Sequence, residues 1–374
     1  MLIVAAVVGL GVWFVRTSVM EPSEPVRYVP PTDEVVATLA GQRGATIVAE
    51  NLTIPWDVVF LPDGEILVTE RPGRVLLLKH GVELAVEGTT SVGEGGLLGA
   101  VLHPEFEKNN YLYLYQTTED NDGLRNRIVR YVLQNDTLTL DKVIADDVPG
   151  ARYHDGGRMA FGPDGYLYVT VGDALRSSEA ANPDSLEGTL LRMTDEGEPA
   201  PGNPFGTRVY SYGHRNAQGL AWDSAGNLWS SEHGRSVGGS GFDELNLIQA
   251  GGNYGWPDSQ GDTVAEGTVA PARHSTADVT WAPGGLAYLN GSLYMPGLRG
   301  ETLYEAVLEG TEIVAWHEHF VGEYGRLRTV VAGPDGYLYL STSNRDGRGD
   351  EPAANDDKIM RVDPTMLVRE DEAQ

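Results

Sequence analysis

The chain alternates short apolar runs with glycine-rich polar turns over most of its length. Tyr166-Leu-Tyr-Val-Thr170 and Asn110-Tyr-Leu-Tyr-Leu114 show the pattern best: aromatic, leucine and β-branched side chains in short stretches bounded by Gly, Pro, Asp or Asn. Runs of this length and composition predict antiparallel strands rather than helices. After Arg16 no stretch carries a long helical period closed by capping residues.

The pattern also repeats. Pro62-Asp-Gly-Glu-Ile-Leu-Val-Thr, Pro163-Asp-Gly-Tyr-Leu-Tyr-Val-Thr and Pro334-Asp-Gly-Tyr-Leu-Tyr-Leu-Ser are copies of one turn-and-strand unit. Weaker copies stand at His103-Pro-Glu-Phe ahead of Tyr111, at Asp223-Ser-Ala-Gly-Asn-Leu-Trp and at Asn290-Gly-Ser-Leu-Tyr. About six units, spaced by roughly 40 to 65 residues, fall within the periods of propeller blades. Outer strands follow most units, as at Arg74-Val-Leu-Leu-Leu, Thr189-Leu-Leu-Arg-Met and Lys358-Ile-Met-Arg-Val. The expected fold is all-β, a six-bladed β-propeller of four-stranded antiparallel blades, with only short edges left open. Seven blades or a distorted sandwich are the alternatives, because the first and last blades can share strands.

The N-terminus differs in character. Met1 to Val15 is almost purely apolar, Arg16 follows, and Glu21 to Pro31 is rich in Pro and Glu. Fifteen helical residues span roughly 22 Å against a hydrocarbon core of ~30 Å, and Thr17 to Met20 could extend them. No Lys or Arg precedes Arg16, so the basic start of a cleaved signal is missing. The expected division is a signal or anchor over 1–20, a tether over 21–45, the propeller over 46–363 and an acidic tail over 364–374. Such a chain is expected outside the cytoplasm, in the periplasm, with membrane attachment through its first segment.

Charge narrows the function. The net charge of −27 excludes sequence-independent binding to nucleic acid. An anionic ligand would need a local cluster of arginines against that field. With no cysteine there is neither a disulfide nor a thiolate metal site.

Such a cluster is legible. Arg326 and Arg328 share one face of a strand, Arg299 precedes Glu301 in the fifth unit, and Arg215-Asn216 offers a planar fork and an amide between glycines. Together they predict an anionic small molecule. His154, just before the inner strand of the third unit, is a candidate general base, and the glycines at 156 and 157 are expected to let a ligand approach the backbone. Glu244 with the carbonyl of Tyr254 suits a hard cation such as calcium. His317 and His319 have no third ligand nearby and read as blade surface.

The ordered set Pro55-Trp-Asp57, Gly93-Glu-Gly-Gly-Leu-Leu-Gly99, His154-Asp-Gly-Gly-Arg158, Gly213-His-Arg-Asn-Ala-Gln-Gly219, Asp243-Glu-Leu-Asn246 and Asn253-Tyr-Gly-Trp-Pro257 resembles the soluble quinoprotein glucose/sorbosone dehydrogenases over about 46–363. In length and layout it is most similar to bacterial aldose sugar dehydrogenases that use pyrroloquinoline quinone (PQQ). The resemblance implies oxidation of an aldose at its anomeric carbon to a lactone, with hydride passing to the quinone and the hydroxyl proton to His154. It implies cofactor contacts from Glu94, Arg215, Asn216, Arg299, Arg326 and Arg328, and an electron acceptor that no motif names. It further implies a structural calcium on Glu244 and the Tyr254 carbonyl, and a second calcium on the carbonyls of Gly234 and Arg235. Glu94 stands where the family has glutamine, and Arg299 where it has lysine. The alternatives are a calcium-dependent propeller lactonase and a non-catalytic propeller binding a protein or glycan.

Overall fold

A computed structural model describes residues 21–22, 24–30, 44–235 and 241–368. It contains six antiparallel sheets arranged in a ring. Blade 1 runs outward through Pro55–Phe60, Ile66–Glu70, Arg74–Leu77 and Val82–Ala85. Blade 2 comprises Leu97–Leu102, Tyr111–Asp120, Gly123–Gln134 and Thr137–Pro149, and blade 3 Met159–Phe161, Leu167–Val171, Thr189–Met193 and Val209–Tyr212. Blade 4 is built from Ala217–Trp222, Leu228–Glu232, Glu244–Ile248 and Arg273–His274, and blade 5 from Ala287–Leu289, Ser292–Pro296, Leu303–Glu309 and Glu312–His319. In blade 6, Leu327–Ala332, Leu338–Thr342 and Ile359–Val362 are completed by Ala45–Glu50 from the other end of the chain. Ala45 lies opposite Val362 and Ala49 opposite Ile359. The ring is therefore closed by the first long strand, with six blades and not seven.

All six repeated motifs occupy one structural position, the turn between the first and second strands of a blade. In blades 3 and 6 the Pro-Asp-Gly turns are locked alike. The Asp164 carboxylate accepts from the Tyr168 hydroxyl and Arg192 Nε at 3.0 and 2.9 Å, and that of Asp335 from Tyr339 and Arg361 at 3.0 and 2.7 Å. Glycine is required at the third turn position, where φ is near +80°.

The core lies between blades rather than within one. Leu167, Val169 and Val171 pack against Tyr113, Tyr115 and Ile128 of blade 2, while Tyr168, on the other face of the same strand, packs with Leu220 and Leu228 of blade 4. Similar clusters fill the other four junctions. Because successive side chains of a strand point to opposite faces, both parities must be apolar, which explains runs such as Leu-Tyr-Val.

Two boundaries shift from the sequence expectation. Arg27–Tyr28, within the expected tether, pairs with Ala49 and Glu50 as a fifth strand of blade 6. Leu367, within the expected tail, is buried in the cluster between blades 5 and 6. The apolar segment over 1–20 lies outside the described residues. Among the described residues no helix is long and apolar enough to cross a membrane.

Candidate active site

The turns with the repeated motif gather at one mouth of the central channel; the chemistry gathers at the other. There the loops entering blades 2 to 6, with the loops between the second and third strands of blades 4, 5 and 6, enclose a cavity of about 550 Å³. Arg158 braces Gln218, a residue of its wall. This side chain from blade 3 pairs with Asp57, donates to Gln218 O at 3.0 Å and Thr329 Oγ1 at 3.2 Å, and stacks over Trp56 at 4.3 Å. One guanidinium thus ties blades 1, 3, 4 and 6 across the axis.

His154, Glu94, Arg215, Asn216, Arg299, Arg326 and Arg328 all line this one cavity. His154 Nδ1 lies 2.7 Å from Asp173 Oδ1. Asp173 also accepts from Trp256 Nε1 and from the Leu175 N–H, each at 2.9 Å. Burial alone would raise the Asp173 pKa, but the bond from His154 and its companions lower it below the ordinary value. An ionised Asp173 puts the proton on Nδ1 and leaves Nε2 with its lone pair. This is a base with its orienting partner. The backbone of His154 is left-handed, φ 65°, and its N–H donates to Glu94 Oε2 at 2.9 Å.

The expectation for the glycines is corrected. A Cβ on Gly156 would meet Thr170 O at 2.5 Å, and one on Gly157 would meet Leu98 Cδ1 at 2.7 Å. They serve close packing against neighbouring strands, not approach of a ligand. His319 likewise departs from the surface reading. It is buried, with Nε2 3.0 Å from Glu305 Oε2; His317, on the same strand, is half-buried.

Five arginines face three carboxylates in the cavity, in a protein whose overall charge is −27. Their states differ. Arg326 is committed to Asp346, at 3.1 and 2.8 Å, and to Leu298 O. Among the described residues Arg328 bonds only to Ser343 Oγ and Gln218 Oε1, both at 3.3 Å, and burial pulls its pKa down to about 9. Arg215 lies over the Trp256 ring at 5.3 Å and reaches the His233 carbonyl, while its Nε is buried without a partner among the described residues. Arg299 is exposed at the rim. Nε2 of His233 is another buried atom without a partner, and burial lowers this imidazole to about 3, so it is neutral. Unspent donors around a roomy cavity fit an anionic, carbonyl-bearing ligand.

Sequence reasoning missed Arg348, His233 and Asp173. Arg348 Nη1 donates to Glu94 Oε1 at 2.7 Å. Burial would raise Glu94, yet the charge of Arg348 holds it well below the usual carboxylate range. Asp173 ends the stretch that begins at His154, so a signal existed. No local signal marks the other two.

Glu244 lies apart from this cavity, opposite Glu232 across two strands of blade 4. Burial, then the charge of Glu232, pushes its pKa up to about 8. Asn246 Nδ2 donates to Glu244 at 3.0 Å and Glu232 at 3.4 Å, and Asn246 Oδ1 is buried without a partner. Tyr254 closes the group, its ring stacked on His214 at 4.4 Å, and His214 Nδ1 is 2.8 Å from Glu232 Oε2. Two opposed carboxylates and an orphan amide oxygen have the chemistry of a hard-cation site.

A ring of six blades with a paired imidazole base under an arginine-rich mouth defines a propeller enzyme for an anionic cofactor or substrate. Residues 52–359 match the Glucose / Sorbosone dehydrogenase family model, and the chain belongs to that family. It is 32% identical to aldose sugar dehydrogenase YliI of Escherichia coli over 80% of this chain and 90% of that protein. It is also 32% identical to quinoprotein glucose dehydrogenase B of Acinetobacter calcoaceticus, over 58% of this chain and 52% of that protein. Among solved structures, the PQQ-bound form of aldose sugar dehydrogenase from Streptomyces coelicolor superposes with a TM-score of 0.78 at 41% identity, covering 85% of this chain and 97% of that one.

Proposed function

We propose that the protein oxidises aldoses at the anomeric carbon to lactones with PQQ as its cofactor. The observation that carries this reading is the His154–Asp173 pair beneath a cavity lined by Arg215, Arg299 and Arg328. Those three arginines, with Asn216, would hold the carboxylates and carbonyls of PQQ. When bound, PQQ supplies the acceptor for the two electrons removed from the sugar. His154 Nε2 takes the proton of the anomeric hydroxyl, and the ionised Asp173 stabilises the resulting imidazolium while fixing its orientation. The arginine field favours the negative charge that oxidation of the sugar delivers to the cavity.

Calcium would sit on Glu244, Glu232, Asn246 Oδ1 and the Tyr254 carbonyl, where it would relieve the repulsion of two buried carboxylates and so serve stability. A second ion would use the carbonyls of Gly234 and Arg235 near the cofactor. We place the protein outside the cytoplasm with Met1–Met20 as its attachment, a reading that rests on the composition of that segment.

Titrating calcium-loaded apoprotein with PQQ in a calorimeter and then adding aldoses with an artificial electron acceptor tests the assignment. Saturable binding followed by sugar-dependent turnover is expected. No binding, or binding without turnover of any aldose, would remove it.

A further inference from the structure

Glu94 puts a carboxylate into a cavity whose arginines otherwise favour anions. Both of its oxygens are engaged by the protein. Oε1 accepts from Arg348 Nη1 at 2.7 Å; Oε2 accepts from the His154 N–H at 2.9 Å and lies 3.5 Å from Asn216 Nδ2. The bond to His154 falls where it is needed, because a left-handed backbone is unfavourable for a residue with a side chain and persists only when its surroundings hold it. Arg348 comes from blade 6, and its guanidinium lies 5.3 Å from the ring of Tyr153, the neighbour of His154 in the chain. Blade 6, blade 2 and the base on blade 3 are thus joined through one ion pair.

We propose that Glu94 and Arg348 are a matched pair of positioning residues: Glu94 holds the backbone of the base, and Arg348 cancels the charge that Glu94 would otherwise turn against the anionic cofactor. Neither needs to touch the cofactor. The inference rests on the PQQ reading above and gives Glu94 a role different from direct cofactor contact. It also states what a carboxylate at this position requires, namely an arginine from the loop between the second and third strands of blade 6.

The signature is asymmetric. Arg348→Gln leaves the half-buried Glu94 carboxylate uncompensated beside the anionic cofactor, and such a like-charge juxtaposition should weaken PQQ binding by roughly 30-fold or more. Glu94→Gln keeps an oxygen for the His154 N–H and removes the offending charge, so PQQ affinity should stay within about threefold of wild type or improve. The double variant should recover to within about threefold of wild type. PQQ binding by calorimetry and melting of the apoprotein are measured on all four proteins, and both should show the rescue. A double variant as weak as Arg348→Gln in both readouts would overturn the pairing and make Arg348 a direct contact. Wild-type behaviour of Arg348→Gln in both would also overturn it. Rescue in melting without PQQ binding by the wild type would instead overturn the cofactor assignment and leave the pairing standing.

Discussion

Replacing Arg328 by methionine should stabilise the empty protein and weaken it as a binder, and the two effects have one cause. Arg328 is buried, and among the described residues its hydrogen-bond partners are Ser343 Oγ and Gln218 Oε1, both at 3.3 Å. Burial drags the guanidinium to about 9, more than three pH units below an ordinary arginine. At about 1.4 kcal/mol per unit, its charge costs the apoprotein on the order of 4–5 kcal/mol. Methionine keeps the stem packed and removes the charge, at the loss of about 1 kcal/mol for each of two long hydrogen bonds. A net gain of about 2–3 kcal/mol remains, in the range found when buried charges give way to apolar groups, and worth a few degrees in Tm. The sign of the pH dependence follows. The folded-state pKa lies below that of the unfolded chain, so above about pH 9 the unfolded state holds more protons and wild-type stability rises relative to the variant. Below pH 9 the penalty is fully present. PQQ binding should fall by about 1.5–3 kcal/mol, the worth of a charged hydrogen bond. Paired urea melts from pH 7 to 10 and calorimetry with PQQ measure both effects. A variant with wild-type affinity, or one destabilised equally at every pH, would refute the reasoning.

His154→Gln should bind PQQ normally yet turn over roughly 10²–10⁴-fold more slowly, as measured by steady-state kinetics beside calorimetry. Asp173→Asn should also spare affinity but lower kcat by orders of magnitude, because an amide no longer fixes the Nδ1–H tautomer of His154. Calcium should raise the Tm of the wild type at pH 8 and raise that of Glu244→Gln by clearly less. A chain starting at Glu21 should be soluble and fully active, whereas one starting at Pro55 loses the outer strand of blade 6 and should melt well below it. Fractionation of cells expressing the full chain should find the protein with membranes, and its recovery from the cytosol would contradict the placement outside.

The blades were legible because their turns are local. A Pro-Asp-Gly turn followed by Tyr-Leu-Tyr needs only neighbours in the chain to explain it, and all six copies fell at one structural position. Residues expected at the mouth also arrived there, since His154, Arg215 and Arg328 sit next to the inner strands that fix them. Arg348 and His233 stand in loops where nothing nearby constrains their type. Their meaning comes from Glu94 and Arg215, which are distant from Arg348 or separated from His233 by two strands. Gly156 and Gly157 were misread for a similar reason. Their requirement comes from Thr170 and Leu98 across the packing, and from sequence alone a glycine at a strand junction looks the same whether a ligand or a neighbouring strand presses on it.

The way the ring is closed bears on how the protein can be made. Glu50 and Asn355, 305 residues apart, share a hydrogen bond of 2.9 Å in the shared blade. During synthesis the strand Ala45–Glu50 emerges long before its partner Ile359–Val362, so the nascent chain carries an unpaired edge until that partner appears. Blades 1 to 5 can form as they appear, but the circle cannot shut before Ile359–Val362 has been made. Joining distant ends is entropically slow, and the interval exposes the faces of blades 1 and 6 that later bury one another. The sequence order therefore puts ring closure late in assembly, and a permuted gene that appended residues 21–50 after Leu367 would bring the two strands of this longest-range pairing near each other in the chain.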